Sequence, residues 1–302
     1  MKRVAFFLLA AALLIPTAIF AGGTTNPITI GVSFVSLDYP YFVPMRVEAE
    51  KTAANLGVKL VFVDAYGSSQ KQSSEMEDFV KQKVSGILID PVMADSLVPA
   101  IEKAVAAGIP VATVDREAHT DKALVHVGPD EVEGGRAAAR YLIDRLGNKG
   151  TVIELEGTPG ASPTISRKQG FDEAIGKSNV KILSSQDGEF DRGTATKIMA
   201  RLIKDYPKFD GVFAHNDDMI IGAIMAMSYA GIDPAAKVSV GYDASSEGLT
   251  YVKQGKLSAT VATFQGQQAS QALSILVDYI KNKKKPEKAA IYVTPKLVTS
   301  AQ

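Results

Sequence analysis

Short β-branched runs alternate with amphipathic helical stretches along nearly the whole chain, and the alternation restarts midway. The strand-like runs are "ITIGVSF", "KLVFVDA", "GILID", "VATVD" and "LVHVG", then "TVIELEG", "VKILSSQ", "GVFAHN", "VSVGYD" and "LSATVAT". Between them lie helical patterns. "PMRVEAEKTAANLG" sets Val47, Ala54 and Leu56 along one face, with Gly57 to end the helix. "ADSLVPAIEKAVAAGIP" repeats Leu97, Ile101 and Val105 at four-residue steps before Gly108 and Pro110 stop it. Such alternation predicts parallel sheets covered by helices on both faces. Continuous apolar runs such as "GILI" fit burial on both sides.

Two stretches share one layout: residues 83–101 and 208–226 each carry a glycine, an apolar strand, a polar residue at its end and an amphipathic helix. A second pair, "AAGIPVATVDRE" and "YAGIDPAAKVSVGYDAS", ends each strand at an aspartate, Asp115 and Asp243. The reading is two similar doubly wound α/β lobes, with a first crossing near "GPDE" (128–131). Open parallel sheets bind ligands at the carboxyl ends of their strands. Those ends carry Asp38 to Phe42, Asp64, Asp90, Asp115 with Arg116, Phe190, His215 with Asn216 and Asp217, and Asp243. Facing lobes would enclose a cleft of carboxylates, amides, guanidinium and aromatic faces.

The first 21 residues stand apart from this pattern. Lys2 and Arg3 precede an apolar run from Val4 to Phe20, and small residues follow at Ala21, Gly22 and Gly23. This is the layout of a cleavable secretory signal over 1–21, cut within 21–23. The rival is a membrane anchor, but a run of about 17 residues is at the short limit for a bilayer, and Pro16 interrupts it. With no cysteine there is no disulfide and no thiol for a lipid, which favours a periplasm over a lipid-anchored cell-surface protein. Lys plus Arg and Asp plus Glu are 33 each, so nothing in the charge implies nucleic acid or an acidic membrane. The basic stretch "KNKKKPEK" (281–288) reads as a solvated helix end.

Three segments carry the chemistry. "SLDYPYF" (36–42) sets Tyr39, Tyr41 and Phe42 beside an aspartate at the lip of a sheet. Aromatic rings there either begin the helix and point into the core, or offer flat apolar surface to the C–H face of a sugar. "VDRE" (114–117) sets an acid and a base at a strand end, as a surface ion pair or as partners for hydroxyls. "GTPGASPTISRKQGF" (157–171) is a broken loop entering a helix that carries Arg167. It lacks the lysine-serine or lysine-threonine pair of a phosphate loop, and no G-x-G-x-x-G occurs. Asp115 and Asp243 could form a glycosidase pair by position alone. Against this, Arg116 follows Asp115 at once and would hold it ionised. His119, His126 and His215 lie on separate elements and read as structural. Neither an enzyme nor a metal or cofactor is expected.

In order and at family spacing, "DYPYF", "PVATVDREA", "RKQGF", "EFDR", "VFAHNDDMIIGA" and "VSVGYD" resemble the periplasmic sugar-binding proteins of ABC importers, and among them the ribose-binding kind. The resemblance runs from about residue 28 to the C-terminus. It implies the type I periplasmic binding protein fold, in which two lobes joined by three hinge crossings close on a monosaccharide. Carried onto this chain, the crossings fall near 128–130, 263–264 and 294–296. The first lobe is then 28–128 plus 264–294, and the second 129–263 plus 295–302. The implied ligand residues are Tyr41, Phe42, Asp115, Arg116, Arg167, Phe190, Asn216 and Asp243, with Phe190 opposite Tyr41 and Phe42 to sandwich the sugar ring. Three positions depart from the ribose pattern: Tyr39 stands for an asparagine, Thr263 for a glutamine, and Tyr41 for a phenylalanine. The implied ligand is therefore a pentose-sized sugar or polyol other than ribose. The implied partner is an inner-membrane ABC permease served by a monomer. A sensory module for a chemoreceptor or sensor kinase is the alternative. Sugar repressors share the fold but carry a basic DNA-binding headpiece where this sequence shows the signal-like leader, so that reading is not expected.

Overall fold

The computed structural model describes residues 27–300. The secretory signal over 1–21, its cut within 21–23 and the last two residues of the second lobe lie outside that range. Within it, strands and helices alternate as β1 (Thr29–Phe34), α1 (Val43–Leu56), β2 (Lys59–Asp64), α2 (Ser69–Gln82), β3 (Gly86–Ile89), α3 (Val98–Ala106), β4 (Val111–Val114) and β5 (Val125–Pro129). The second run is α4 (Glu131–Arg145), β6 (Gly150–Glu156), α5 (Ser162–Ile175), β7 (Val180–Asp187), α6 (Arg192–Asp205), β8 (Gly211–Ala214), α7 (Asp217–Tyr229), β9 (Val238–Asp243), α8 (Ser246–Lys253) and β10 (Ala259–Ala262). The chain ends with α9 (Gln265–Asn282), β11 (Ala290–Val293) and β12 (Lys296–Thr299).

These strands form two six-stranded sheets, β2-β1-β3-β4-β5-β11 and β7-β6-β8-β9-β10-β12. Every pairing is parallel except that of β12 with β10, an antiparallel edge that the sequence pattern did not reveal. The two sheets have the same order within each half, as the repeated layout predicts. The chain passes between them three times: from β5 into α4, from β10 into α9, and from β11 into β12.

Helix α9 returns to the first lobe and packs on α1. Its Ala269, Ala272, Leu273 and Leu276 join Ile30, Val32, Phe34 and Leu88 in one core. The second lobe has a matching core, in which Met219, Ile220 and Ala223 of α7 cover Val212 and Ala214 of β8. The β3 and β8 runs are buried at every position, as strands covered on both faces must be.

Helix α1 corrects one expectation. Gly57 does end it, at φ 66°, where a left-handed residue closes the last turn. Its buried face, however, is Met45, Ala49, Thr52 and Ala53, while Val47 and Ala54 face solvent and Leu56 is half-buried. The small residues let α9 approach closely, with Thr52 donating to Ser270 Oγ at 2.9 Å. Apolar size alone misassigned the face.

Candidate functional site

The carboxyl edges of both sheets meet at the boundary between the lobes. The backbone that presents the side chains there is unusual. Asp115, Phe190, Asp243 and Phe264 have φ of 61°, 58°, 108° and 58°. Non-glycine residues at such angles carry strain and cluster at sites where side-chain direction is fixed for a purpose.

On the first lobe, a short turn over Pro40–Phe42 delivers the three aromatics. Phe42 is only 4% exposed and lies against the core, its ring stacked on Phe34 at 6.0 Å. Tyr41 meets Phe42 edge-on at 5.1 Å and sends its hydroxyl toward Asp115, donating to Oδ1 at 2.5 Å. The same hydroxyl lies 3.4 Å from Thr263 Oγ1, so Thr263 joins the group from the second crossing. Burial, then the charge of Asp115, holds the Tyr41 phenol well above its ordinary range. Tyr39 is 42% exposed, and burial followed by the carboxylates of Asp191 and Asp218 raises its phenol. Those two acids belong to the second lobe, so Tyr39 faces across the boundary.

Asp115 and Arg116 are neighbours in sequence but do not pair. Arg116 Nη1 donates to the Val92 carbonyl at 3.0 Å, and its guanidinium lies 5.3 Å over the ring of Phe190 on the second lobe. Arg116 still pulls Asp115 toward its charged form, as adjacency suggests, but is outweighed. Burial dominates and raises the Asp115 carboxyl, with Glu131 adding to the shift, while the Tyr41 hydroxyl opposes it.

On the second lobe, Arg167 is 3% exposed, so it is no solvated helix arginine. Its Nε and Nη2 meet Glu131 at 2.8 and 2.7 Å, its Nη1 donates to the His215 carbonyl, and Asp243 Oδ1 lies 3.8 Å away. This fork becomes possible because α4 and α5 touch through glycines. A Cβ on Gly135 would stand 2.1 Å from the Arg167 carbonyl, and one on Gly170 1.9 Å from that of Val132. Burial pushes Asp243 well above the usual carboxylate range, against the pull of Arg167.

Phe190 lies in the turn before α6, over Gly157, where a Cβ would stand 2.0 Å from the ring. Asn216 caps α7 by accepting from the Met219 N–H at 2.9 Å, and its Nδ2 donates to the Phe190 carbonyl at 3.3 Å. One amide hydrogen of Asn216 remains. His215 accepts from the Gly157 N–H at 3.3 Å and has Glu154 Oε1 at 3.1 Å from Nε2, so it holds the Phe190 loop in place.

The lobes also touch directly at the rim. The Ala94 N–H donates to the Gly160 carbonyl at 3.2 Å, and the Glu117 N–H to Ser162 Oγ at 2.8 Å.

Two residues of this region were not singled out from sequence. In the sequence Asp90 is marked only by its place at a strand end. It is fully buried, with Oδ1 accepting from the Arg116 N–H at 3.3 Å. Glu131 looks like an ordinary acid in the first turn of a helix, and only the packing of α4 on α5 shows it as the partner of Arg167. Among the described residues, no helix is long and apolar enough to cross a membrane.

Two α/β lobes of matching order, with polar side chains converging from both carboxyl edges, define a cleft-type binding protein. The profile of the periplasmic binding protein domain family matches residues 30–284, and the chain belongs to that family. It is 39% identical over 240 residues to the ribose import binding protein of Bacillus subtilis, covering 80% of this chain and 77% of that one. It is 33% identical over 248 residues to the xylitol-binding protein of Mycolicibacterium smegmatis, covering 81% and 70%. Among solved structures, the Caulobacter myo-inositol binding protein bound to myo-inositol superposes with a TM-score of 0.85 at 33% identity, covering 91% and 94%.

Proposed function

We propose that this protein captures a small sugar or polyol of about pentose size between its lobes and delivers it to an ABC importer in the inner membrane. The observation that carries this is the convergence of Asp115 and Arg116 from one lobe with Arg167, Asn216 and Asp243 from the other. Adjacent hydroxyls both donate and accept, so carboxylates that accept and guanidinium or amide groups that donate fit them. Tyr41 and Phe190 bring aromatic faces from opposite lobes, with Phe42 behind Tyr41 and Tyr39 at the rim. Thr263 sits at the second crossing, where ligand contact and hinge movement can be coupled.

The names of the relatives, for ribose, xylitol and myo-inositol, support a polyhydroxylated solute and leave its identity open. The apolar leader supports export to the periplasm, where such a protein meets its permease. The lobes are divided as 28–128 plus 264–294 and 129–263 plus 295–302.

A thermal-shift screen of monosaccharides and polyols, followed by calorimetry of each hit on wild type and Asp115→Ala, tests the proposal. At least one compound should bind. The variant should lose about 1–3 kcal/mol, since it leaves ligand hydroxyls unmatched in a dry cleft. Equal affinity in the two proteins would place the site elsewhere.

A further inference from the structure

Asp90 stands directly after β3, in the middle of the first sheet's carboxyl edge, and has no exposed surface. Its Oδ1 accepts from the Arg116 N–H, while Oδ2 is buried with no partner in full hydrogen-bonding geometry, the Val35 N–H being the other donor near the carboxyl. The backbone beneath is fixed. Gln72 donates to the Asp90 carbonyl at 2.7 Å and accepts from the Val92 N–H at 2.8 Å, so the carboxyl cannot easily swing away. A buried carboxylate oxygen without a donor is costly, and the group that supplies one gains by it.

The surroundings say what kind of donor fits. Asp90, Asp115, Glu131 and Asp243 are all buried at this boundary. Arg116 and Arg167 are the guanidiniums set among them. Arg167 is taken up by Glu131 as a two-pronged pair, and Arg116 is directed at the Val92 carbonyl and the Phe190 ring. Among these groups the carboxyls outnumber the guanidiniums two to one on each lobe, and on the first lobe Asp90 and Asp115 stand together. Burial and then the charge of Asp115 raise the Asp90 carboxyl well above the usual range, against the pull of Arg116, so its neutral form is favoured until a cation stands beside it. A neutral hydroxyl could donate to Oδ2 but would do little to favour the charged form of the carboxyl. A protonated amine would donate and neutralise at once, through a stronger charge-assisted bond. A metal ion fits less well, because among the described residues no group of three or more His, Asp or Glu is arranged to hold one.

We propose that the preferred solute is an amino-substituted sugar or polyol, whose protonated amine is held by the free oxygen of Asp90 beside Asp115. This rests on the reading of the cleft as a site for polyhydroxylated solutes and names the class within it.

The test is calorimetric titration at pH 7 of pentoses, pentitols and inositols, each paired with the counterpart in which one hydroxyl is replaced by an amine. Wild type should bind at least one amine about tenfold or more tightly than its neutral parent, the margin of a charged over a neutral hydrogen bond. The near-isosteric Asp90→Asn should bring the two within about twofold of each other, as the charge is gone and the shape kept. If wild type binds neutral compounds as tightly as their amines, the amine proposal fails and the sugar reading stands. If neither series binds, both fail. The comparison on wild type decides the question even if the variant folds poorly.

Discussion

The guanidinium of Arg116, carried by the first lobe, lies 5.3 Å over the ring of Phe190, carried by the second. A cation over an aromatic face across a domain boundary contributes most when water is excluded, so it belongs to the closed arrangement. Removing the ring should weaken both ligand contact and closure. Phe190→Ala is expected to lower affinity roughly tenfold or more, because an aromatic face adds about 0.5–1.5 kcal/mol beyond its buried area. Titration of the best ligand against wild type and variant checks this. Unchanged affinity would remove Phe190 from the site.

Arg167 and Glu131 make a different kind of prediction. Both are nearly inaccessible, with side chains 4% and 9% exposed. Taking away one partner of a buried pair strands the other's charge, at a cost of about 3–5 kcal/mol. Arg167→Ala should therefore unfold at markedly lower denaturant concentration, beyond any effect on binding. The double variant with Glu131→Gln should recover part of the loss, and absence of recovery would show that Arg167 acts independently of Glu131.

Stability should also depend on pH through His126. Its ring is 6% exposed, its Nδ1 is 3.0 Å from Thr113 Oγ1, and burial lowers its pKa to about 4. The unfolded chain takes up this proton near pH 6.5 and the folded protein only near 4. The folded state therefore binds fewer protons in that window, and stability falls as pH drops from about 6.5 to about 4, by up to about 3 kcal/mol. Chemical denaturation across the window should show this slope, and His126→Asn should flatten it. Equal slopes in both proteins would assign the pH dependence to other groups.

Much of the site was legible because its residues sit where strands end. Asp115, Asp243 and Asn216 each follow an apolar run whose direction is fixed by the parallel sheet, so strand assignment alone aims them at the cleft. The partnerships were not legible. Arg116 follows Asp115 in sequence, yet the left-handed turn at Asp115 sends the guanidinium toward Val92 and Phe190 instead. Glu131 meets Arg167 only through the close approach of two helices, which depends on Gly135 and Gly170, each about one turn along its helix from the pair. The exposed Val47 shows the same limit for the fold: helical spacing identified α1 but not the face that α9 would cover.

Specificity should reside in part at Tyr39 and Thr263, which the ribose-type pattern fills with amides. Thr263 is fully buried and lies 3.4 Å from the Tyr41 hydroxyl, so it offers one small hydroxyl where an amide would both donate and accept. The double variant Tyr39→Asn with Thr263→Gln should raise ribose affinity relative to the best natural ligand, by roughly tenfold for each recovered hydrogen bond. The ratio of the two affinities, measured in both proteins, is the readout. If wild type already prefers ribose, these positions do not set the choice of solute.

The central claim is that the solute is held between the lobes and draws them together. The closed state gains whatever the ligand binds more tightly in that state than in the open one. Small-angle X-ray scattering on the protein alone and at saturating ligand measures this directly. The account predicts a smaller radius of gyration with ligand, returning to the free value in Asp115→Ala at the same ligand concentration. An unchanged scattering profile at proven saturation would contradict it.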